Sequence, residues 1–120
     1  MKMPISEIID RYTITKLKSE RTTENVIDEL NAYKVELQKY DHHIEGYIES
    51  MYQINSRIWD TECDIRKGTE LPLEEIGRLA LKVRDLNCER NSIKASIVDE
   101  FSEVFKEIKI NYKKINYGRN

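Results

Sequence analysis

Apolar residues recur along this chain at steps of three and four, the spacing that gathers them on one face of a helix. The longest such run is Val26, Leu30, Tyr33, Leu37, Tyr40, Ile44, Tyr47, Met51, Ile54, Ile58, Thr61 and Ile65, in which Thr61 alone is not apolar. A mean step of about 3.5 residues is the heptad signature of coiled-coil packing. The run therefore predicts one long helix over about 23–67, roughly 60 Å at about 1.5 Å per residue. Arg66 and Lys67 make a basic last turn and Gly68 a C′ residue. The weak point is Asp41-His42-His43 with Gly46, since glycine costs about 1 kcal/mol against alanine in a helix; a continuous helix with at most a bend is expected there.

Two further helices flank it. Helix 1, about 6–21, starts at the N-cap residue Ser6, with Glu7 favouring the positive end of the dipole. Its apolar face is Ile5, Ile8, Ile9, Tyr12 and Leu17, while the β-branched Thr13-Ile14-Thr15 run lowers its intrinsic propensity. Thr22 or Thr23 is the next expected N-cap. Helix 3, about 72–113, follows Pro72, with Glu74 and Glu75 in its first turn. It carries the stripe Ile76, Leu79, Val83, Leu86, Ile93, Ile97, Phe101, Val104 and Ile108, and the pattern fades near Tyr112. One domain over about 1–115 results, with 116–120 as a loose end.

Two long helices joined by a short connection fold back antiparallel, and a tip near 68–71 makes facing residue numbers sum to about 139. Arg90 then faces Glu49, and Lys94 faces Glu45. Helix 1 lies on the open end of this hairpin, giving a three-helix bundle there and a bare two-helix arm beyond. That arm leaves Tyr47, Met51, Ile58 and Trp59 without cover, which predicts self-association, most simply a two-fold dimer.

Composition supports an all-α chain and narrows its partners. The 120 residues contain only four Gly and two Pro, too few turn signals for a sandwich or barrel. A charged fraction of 35% fits long solvent-facing helices, and a net charge of −2 argues against a dedicated nucleic-acid binder. No apolar run of about 18 residues is present to span a membrane, and the first residues lack the core of a signal peptide. Two cysteines, Cys63 and Cys88, are no disulfide framework, so a cytoplasmic location is expected. Lys106–Asn120 holds five basic residues against one glutamate, a solvated +4 tail that leaves the remainder at −6.

No nucleotide or metal motif is present, and no cofactor is implied. His42 and His43 are adjacent and diverge by about 100° on a helix, so they are read as surface residues. Two polar clusters carry more information. Asn55, Trp59, Glu62 and Arg66 share a helical face through steps of four, three and four, beside Asp60. They form either a salt-bridged helix surface with a half-buried indole or an aromatic platform flanked by charge. Asn87, Arg90, Asn91 and Lys94 fall on one face of helix 3 at steps of three, one and three, and Asn87 and Arg90 lie close to the apolar seam, where charges need partners. They either fix the helix register against acids or hold an anion such as phosphate or carboxylate.

These residues also carry a resemblance. Glu7-Ile8-Ile9-Asp10-Arg11-Tyr12-Thr13-Ile14, continuing to Lys18, Glu20 and Arg21, resembles the E-L-I-D-K-x-T-I…K-x-E-R opening of an uncharacterised family of small helical bacterial and viral proteins. Asn55, Trp59, Asp60, Glu62, Ile65 and Arg66 resemble its N-x-x-x-W-D-x-E-x-x-I-R signature. Ala80, Val83, Asn87, Arg90, Lys94 and Ile97 resemble its third motif. Members of that family are often encoded near, or fused to, enzymes of surface-polysaccharide and sugar-transfer pathways. The resemblance carries no established activity; the reading is a non-enzymatic helical interaction protein, accessory to sugar-transfer or surface-glycan assembly, whose polar motifs lock the bundle and present a surface to a protein partner. The alternative is a small helical enzyme or binding protein for an anionic metabolite such as a sugar phosphate or nucleotide sugar. In the 139 register, Lys18–Arg21 lie far from Trp59 and Arg66, so a bend or a second subunit is needed to unite the motifs.

Overall fold

The computed structural model describes the backbone of residues 2–40, 43–67 and 70–117 and the side chains as far as Phe101. Among the described residues all regular structure is helical: α1 (Ile5–Arg21), α2 (Ile27–Leu37), α3 (Ile44–Lys67) and α4 (Leu73–Tyr117). The all-α class is as expected, but four helices stand in place of three. No helix of the described residues is long and apolar enough to cross a membrane.

The expected continuous helix over 23–67 is two helices, α2 and α3. At the end of α2 the amides of Lys39 and Tyr40 bond back to the carbonyls of Glu36 and Leu37, three residues away, which tightens the last turn and stops it. The physical reason is burial. A straight helix would carry Leu30, Tyr33 and Leu37 beyond the reach of α1, whereas the break lays α2 on α1 and buries all three. The α1–α2 link also differs in detail. The amide of Ile27 bonds to the side-chain carbonyl of Asn25, while Thr22 Oγ1 donates to the Lys18 carbonyl, so neither Thr22 nor Thr23 caps α2. Helix α1 opens one residue before Ser6: the Pro4 carbonyl accepts the amides of Glu7 and Ile8, and Ser6 is buried.

Helices α3 and α4 form the expected antiparallel hairpin. Arg57 pairs with Glu89 at 3.6 Å, and the Tyr47 hydroxyl bonds to Glu100. Facing numbers therefore sum to 146–147, above the expected value of about 139. Side chains lean toward the N-terminus of their own helix, so in an antiparallel pair both partners are numbered above the level at which they meet.

Helix α1 lies along this hairpin, not only at its open end. It runs antiparallel to α4, with Glu7 beside Lys94 and Asp10 beside Arg90, and crosses α3 from Asn55 to Asp60. Arg90 and Lys94 therefore meet acids of α1, not Glu49 and Glu45. The 17 residues of α1 span about 25 Å at 1.5 Å each, enough to bring Lys18 and Arg21 level with the Trp59 segment within one chain. Of the two alternatives, the chain takes the first in a stronger form: the expected helix is interrupted between Leu37 and Ile44, and the segments meet within one chain. Ile8, Ile9, Leu17, Met51 and Ile97 are fully buried, each worth about 1.5–3 kcal/mol over exposure. Met51 and Ile58 are thus covered by the chain itself, while Tyr47 and Trp59 of the expected bare arm stay half-buried. The α4 backbone stays helical to Tyr117, past the expected end near 113. The expectations for His42, for Gly68 and for the side chains of the basic tail lie outside the described residues.

Candidate functional site

The β-branched middle of α1 places one carboxylate at the centre of the molecule. Glu7, Asp10, Ile14 and Leu17 follow steps of three, four and three, so they share the face that α3 and α4 cover. Asp10 is 2% exposed. Its Oδ1 accepts from Arg90 Nε at 3.0 Å and from Asn55 Nδ2 at 2.9 Å, and its Oδ2 from Arg90 at 2.5 Å. Lys94 Nζ stands 3.5 Å from Oδ2 and 2.5 Å from Glu7. Thr13 completes the group: its hydroxyl donates to the Asp10 carbonyl at 2.8 Å and accepts from Asn55 Nδ2 at 2.9 Å. Among the described residues no buried side-chain nitrogen or oxygen is left without a partner. Burial pushes the Asp10 carboxyl up, but the hydrogen bonds from Arg90 and Asn55, with the charges of Arg90 and Lys94, outweigh it and hold Asp10 below the ordinary carboxylate value. The same ion pair raises the Arg90 guanidinium, so this pair is charged at every physiological pH.

In front of this lock lies a cavity of about 390 Å³, within the range typical of small-molecule sites. Helix α1 gives it Ile14, Leu17 and Lys18. Helix α3 adds Asn55, Ile58, Trp59, Glu62, Cys63 and Arg66, and α4 adds Asn87 and Arg90. The floor is apolar, with Leu17 and Ile58 buried and the indole of Trp59 half-buried. The rim is charged. Arg66 reaches Glu62 only at 3.5 Å, with the two side chains 76% and 43% exposed, a pairing of little energy. The Lys18 ammonium makes no hydrogen bond or ion pair among the described residues. Arg90 joins the two halves: two of its nitrogens hold Asp10, and the third, Nη1, donates to Asn87 Oδ1 at 3.4 Å.

The twelve candidate residues thus separate by role. Lys18, Asn55, Trp59, Glu62, Arg66, Asn87 and Arg90 border the cavity. Asp10 and Lys94 sit behind it in the lock. Glu20, Arg21 and Asp60 lie on a surface strip beside it: Arg21 bonds to Asp60 at 2.7 Å and to Ser56 at 2.6 Å, and Glu20 accepts from the Tyr52 hydroxyl at 2.5 Å. That bond is the leading cause of a raised Tyr52 phenol. Lys16 lies 5.1 Å over the Tyr52 ring in the same strip. Thr13, Tyr52 and Ser56 were not among the candidates; the i+3 spacing of Thr13 from Asp10 was the available signal for the first. The Glu7–Asp10 step of three lets one lysine, Lys94, serve both acids once α1 lies along α4. A second hollow, at the α2–α3 turn between Tyr12, Leu37, Tyr40 and Ile48, contains none of the candidates.

Among the described residues no group of three or more His, Cys, Asp or Glu could hold a metal ion. No hydroxyl or thiol of the described wall is hydrogen-bonded to a base, the arrangement that nucleophilic catalysis needs. What the wall offers is an apolar floor, one aromatic face, amide groups and two weakly engaged cations. No family model matches the chain, and no curated protein or solved structure matches it either.

Proposed function

We propose that this chain is a binding protein for a small anionic metabolite, seated in the cavity among α1, α3 and α4. The observation that carries the reading is that the cavity wall includes both the Lys18 ammonium, unpaired among the described residues, and the loosely held Arg66, over an apolar floor that includes the sole tryptophan. A cation at the edge of an apolar cavity gains an attraction for anions that bulk water would otherwise screen. The lock behind the cavity supports this reading, because the Asp10 ion pair pins the side of Arg90 that faces away from the wall. An accessory role in sugar-transfer or surface-glycan assembly, which the family resemblance implies, is compatible with binding a metabolite of such pathways. The binding reading is preferred to an enzymatic one because the wall lacks a nucleophile matched to a base.

The test uses Trp59, whose fluorescence reports on the cavity without a label. Titration with inorganic phosphate and with pyrophosphate should change the emission saturably at millimolar or lower concentration, and the paired change Lys18→Ala with Arg66→Ala should abolish the response while circular dichroism stays unchanged. A wild-type emission indifferent to both anions, or a response that survives the paired change, overturns the reading.

A further inference from the structure

An ionised carboxylate only accepts hydrogen bonds and a guanidinium only donates them. Asp10 therefore dictates which way the neighbouring amides face. Asn55 must offer its NH₂ to Asp10 and to Thr13, and those two bonds use both of its N–H groups. Its carbonyl oxygen accepts nothing among the described residues, yet it is not a buried unpaired atom. It is therefore open to the cavity that Asn55 lines. On the opposite wall the logic inverts. Arg90 Nη1 can only donate, so Asn87 must accept through Oδ1, which leaves the Asn87 NH₂ at the cavity edge without a partner among the described residues. The wall thus alternates: an acceptor at Asn55, a donor at Asn87, an acceptor at Glu62, and cations at Lys18 and Arg66.

A ligand matching this wall needs groups that donate and accept in the same small volume, together with an anion. Hydroxyl groups do both. A planar heteroaromatic base offers a fixed pattern along one edge, whereas acceptor and donor here come from different helices, α3 and α4. The half-buried indole and the side chains of Ile58 and Leu17 suit the apolar C–H face of a saturated ring, and a dianionic group suits two cations at the rim. A volume of about 390 Å³ lies toward the small end of ligand sites. We infer that the ligand class is a phosphorylated, polyhydroxylated ring, a monosaccharide phosphate, with its ring between Trp59, Asn55 and Asn87 and its phosphate at Lys18 and Arg66. This rests on the anion-binding reading above and goes further by assigning the neutral half of the ligand.

The experiment compares glucose 1-phosphate, glucose 6-phosphate, inorganic phosphate and uridine monophosphate by Trp59 fluorescence and calorimetry on the full chain. At least one glucose phosphate should bind about tenfold or more tighter than both inorganic phosphate and the nucleotide. Asn87→Ala should lower that affinity about tenfold, the loss of one good hydrogen bond, and change inorganic phosphate by less than about twofold. Equal affinity for glucose phosphates and inorganic phosphate overturns this inference and leaves the anion site standing. A nucleotide that binds tightest overturns it in favour of a base. If none of the four binds, the anion reading itself fails. The ligand comparison on the unmodified chain decides the matter even if Asn87→Ala does not fold.

Discussion

Asp10 and Arg90, 80 positions apart in the chain, form a two-pronged ion pair in which the carboxylate side chain is buried and the Arg90 side chain is 26% exposed. The pair ties α1 to α4 at the level where Asn55 of α3 also reaches in. Removing one partner of a buried pair leaves the other without compensation, which typically costs about 3–5 kcal/mol. Arg90→Ala should fall in that range, because Asp10 would keep only Asn55 and the more distant Lys94. Arg90→Lys should recover little, since an ammonium cannot make the paired contact. Lys94→Ala should cost about 1 kcal/mol, because its nearest partner, Glu7, is one-third exposed and shielded by water. Urea unfolding of the three variants checks the order; an Arg90→Ala protein as stable as Lys94→Ala would contradict it.

The same carboxylate predicts how stability responds to acid. Its value in the folded chain lies below the ordinary 3.8, so the contribution of Asp10 is fully present above 3.8 and is lost as pH falls through the lower folded value. Unfolded chains then bind a proton that folded ones resist. Stability should therefore decline below about pH 4 with a slope partly due to Asp10. Asp10→Asn should be less stable at pH 7 and show a flatter acid limb, because it has no proton to take up. Thermal unfolding followed from pH 7 to pH 3 measures both; parallel acid limbs would remove Asp10 from the cause.

How far this centre was legible in the sequence depends on what each residue needed. The all-α class and most of the buried stripe followed from periodicity, since Leu30, Tyr33, Leu37, Met51, Ile54 and Ile58 obey one spacing whichever helix packs on them. Arg90 and Lys94 stood out as charges beside a seam for the same local reason. Their partners did not, because a hairpin register computed from its own tip knows nothing of a third helix laid along it. The break between Leu37 and Ile44 was equally hidden. The heptad spacing continues across it, and only the tertiary gain of laying Leu30, Tyr33 and Leu37 on α1 decides against a straight helix. Residues from three separate segments, around Lys18, Trp59 and Arg90, border one cavity, and that convergence could be read from none of the segments alone.

Arg21 and Asp60 lie in the first two of these segments but should behave differently from the lock. Their 2.7 Å contact lies on the surface, with side chains 30% and 65% exposed. Exposed pairs of this kind contribute about 0–1 kcal/mol and weaken with salt. Arg21→Ala and Asp60→Ala should each shift the urea midpoint only slightly, and the shift should shrink further in 1 M salt. A loss comparable to that of Arg90→Ala would show that the strip from Glu20 to Asp60 bears more of the fold than its exposure suggests.

Gly46 and Gly77 should both tolerate a methyl group, with unequal benefit. Each is exposed in a helix, and an added Cβ would meet no heavy atom within 4 Å at either site. Alanine in a helix interior is favoured over glycine by about 0.5–1 kcal/mol, chiefly because the unfolded chain loses freedom. Gly77 is the fifth residue of α4, which continues for many turns, so Gly77→Ala should gain most of that amount. Gly46 is the third residue of α3, next to the α2–α3 turn, where the helix is still being started and the propensity difference is only partly expressed. Gly46→Ala should therefore gain less. Differential scanning calorimetry of the two single variants checks the ranking. A larger gain at Gly46 would mean that the break after α2 is a point of weakness whose stiffening steadies the packing of α2 on α1.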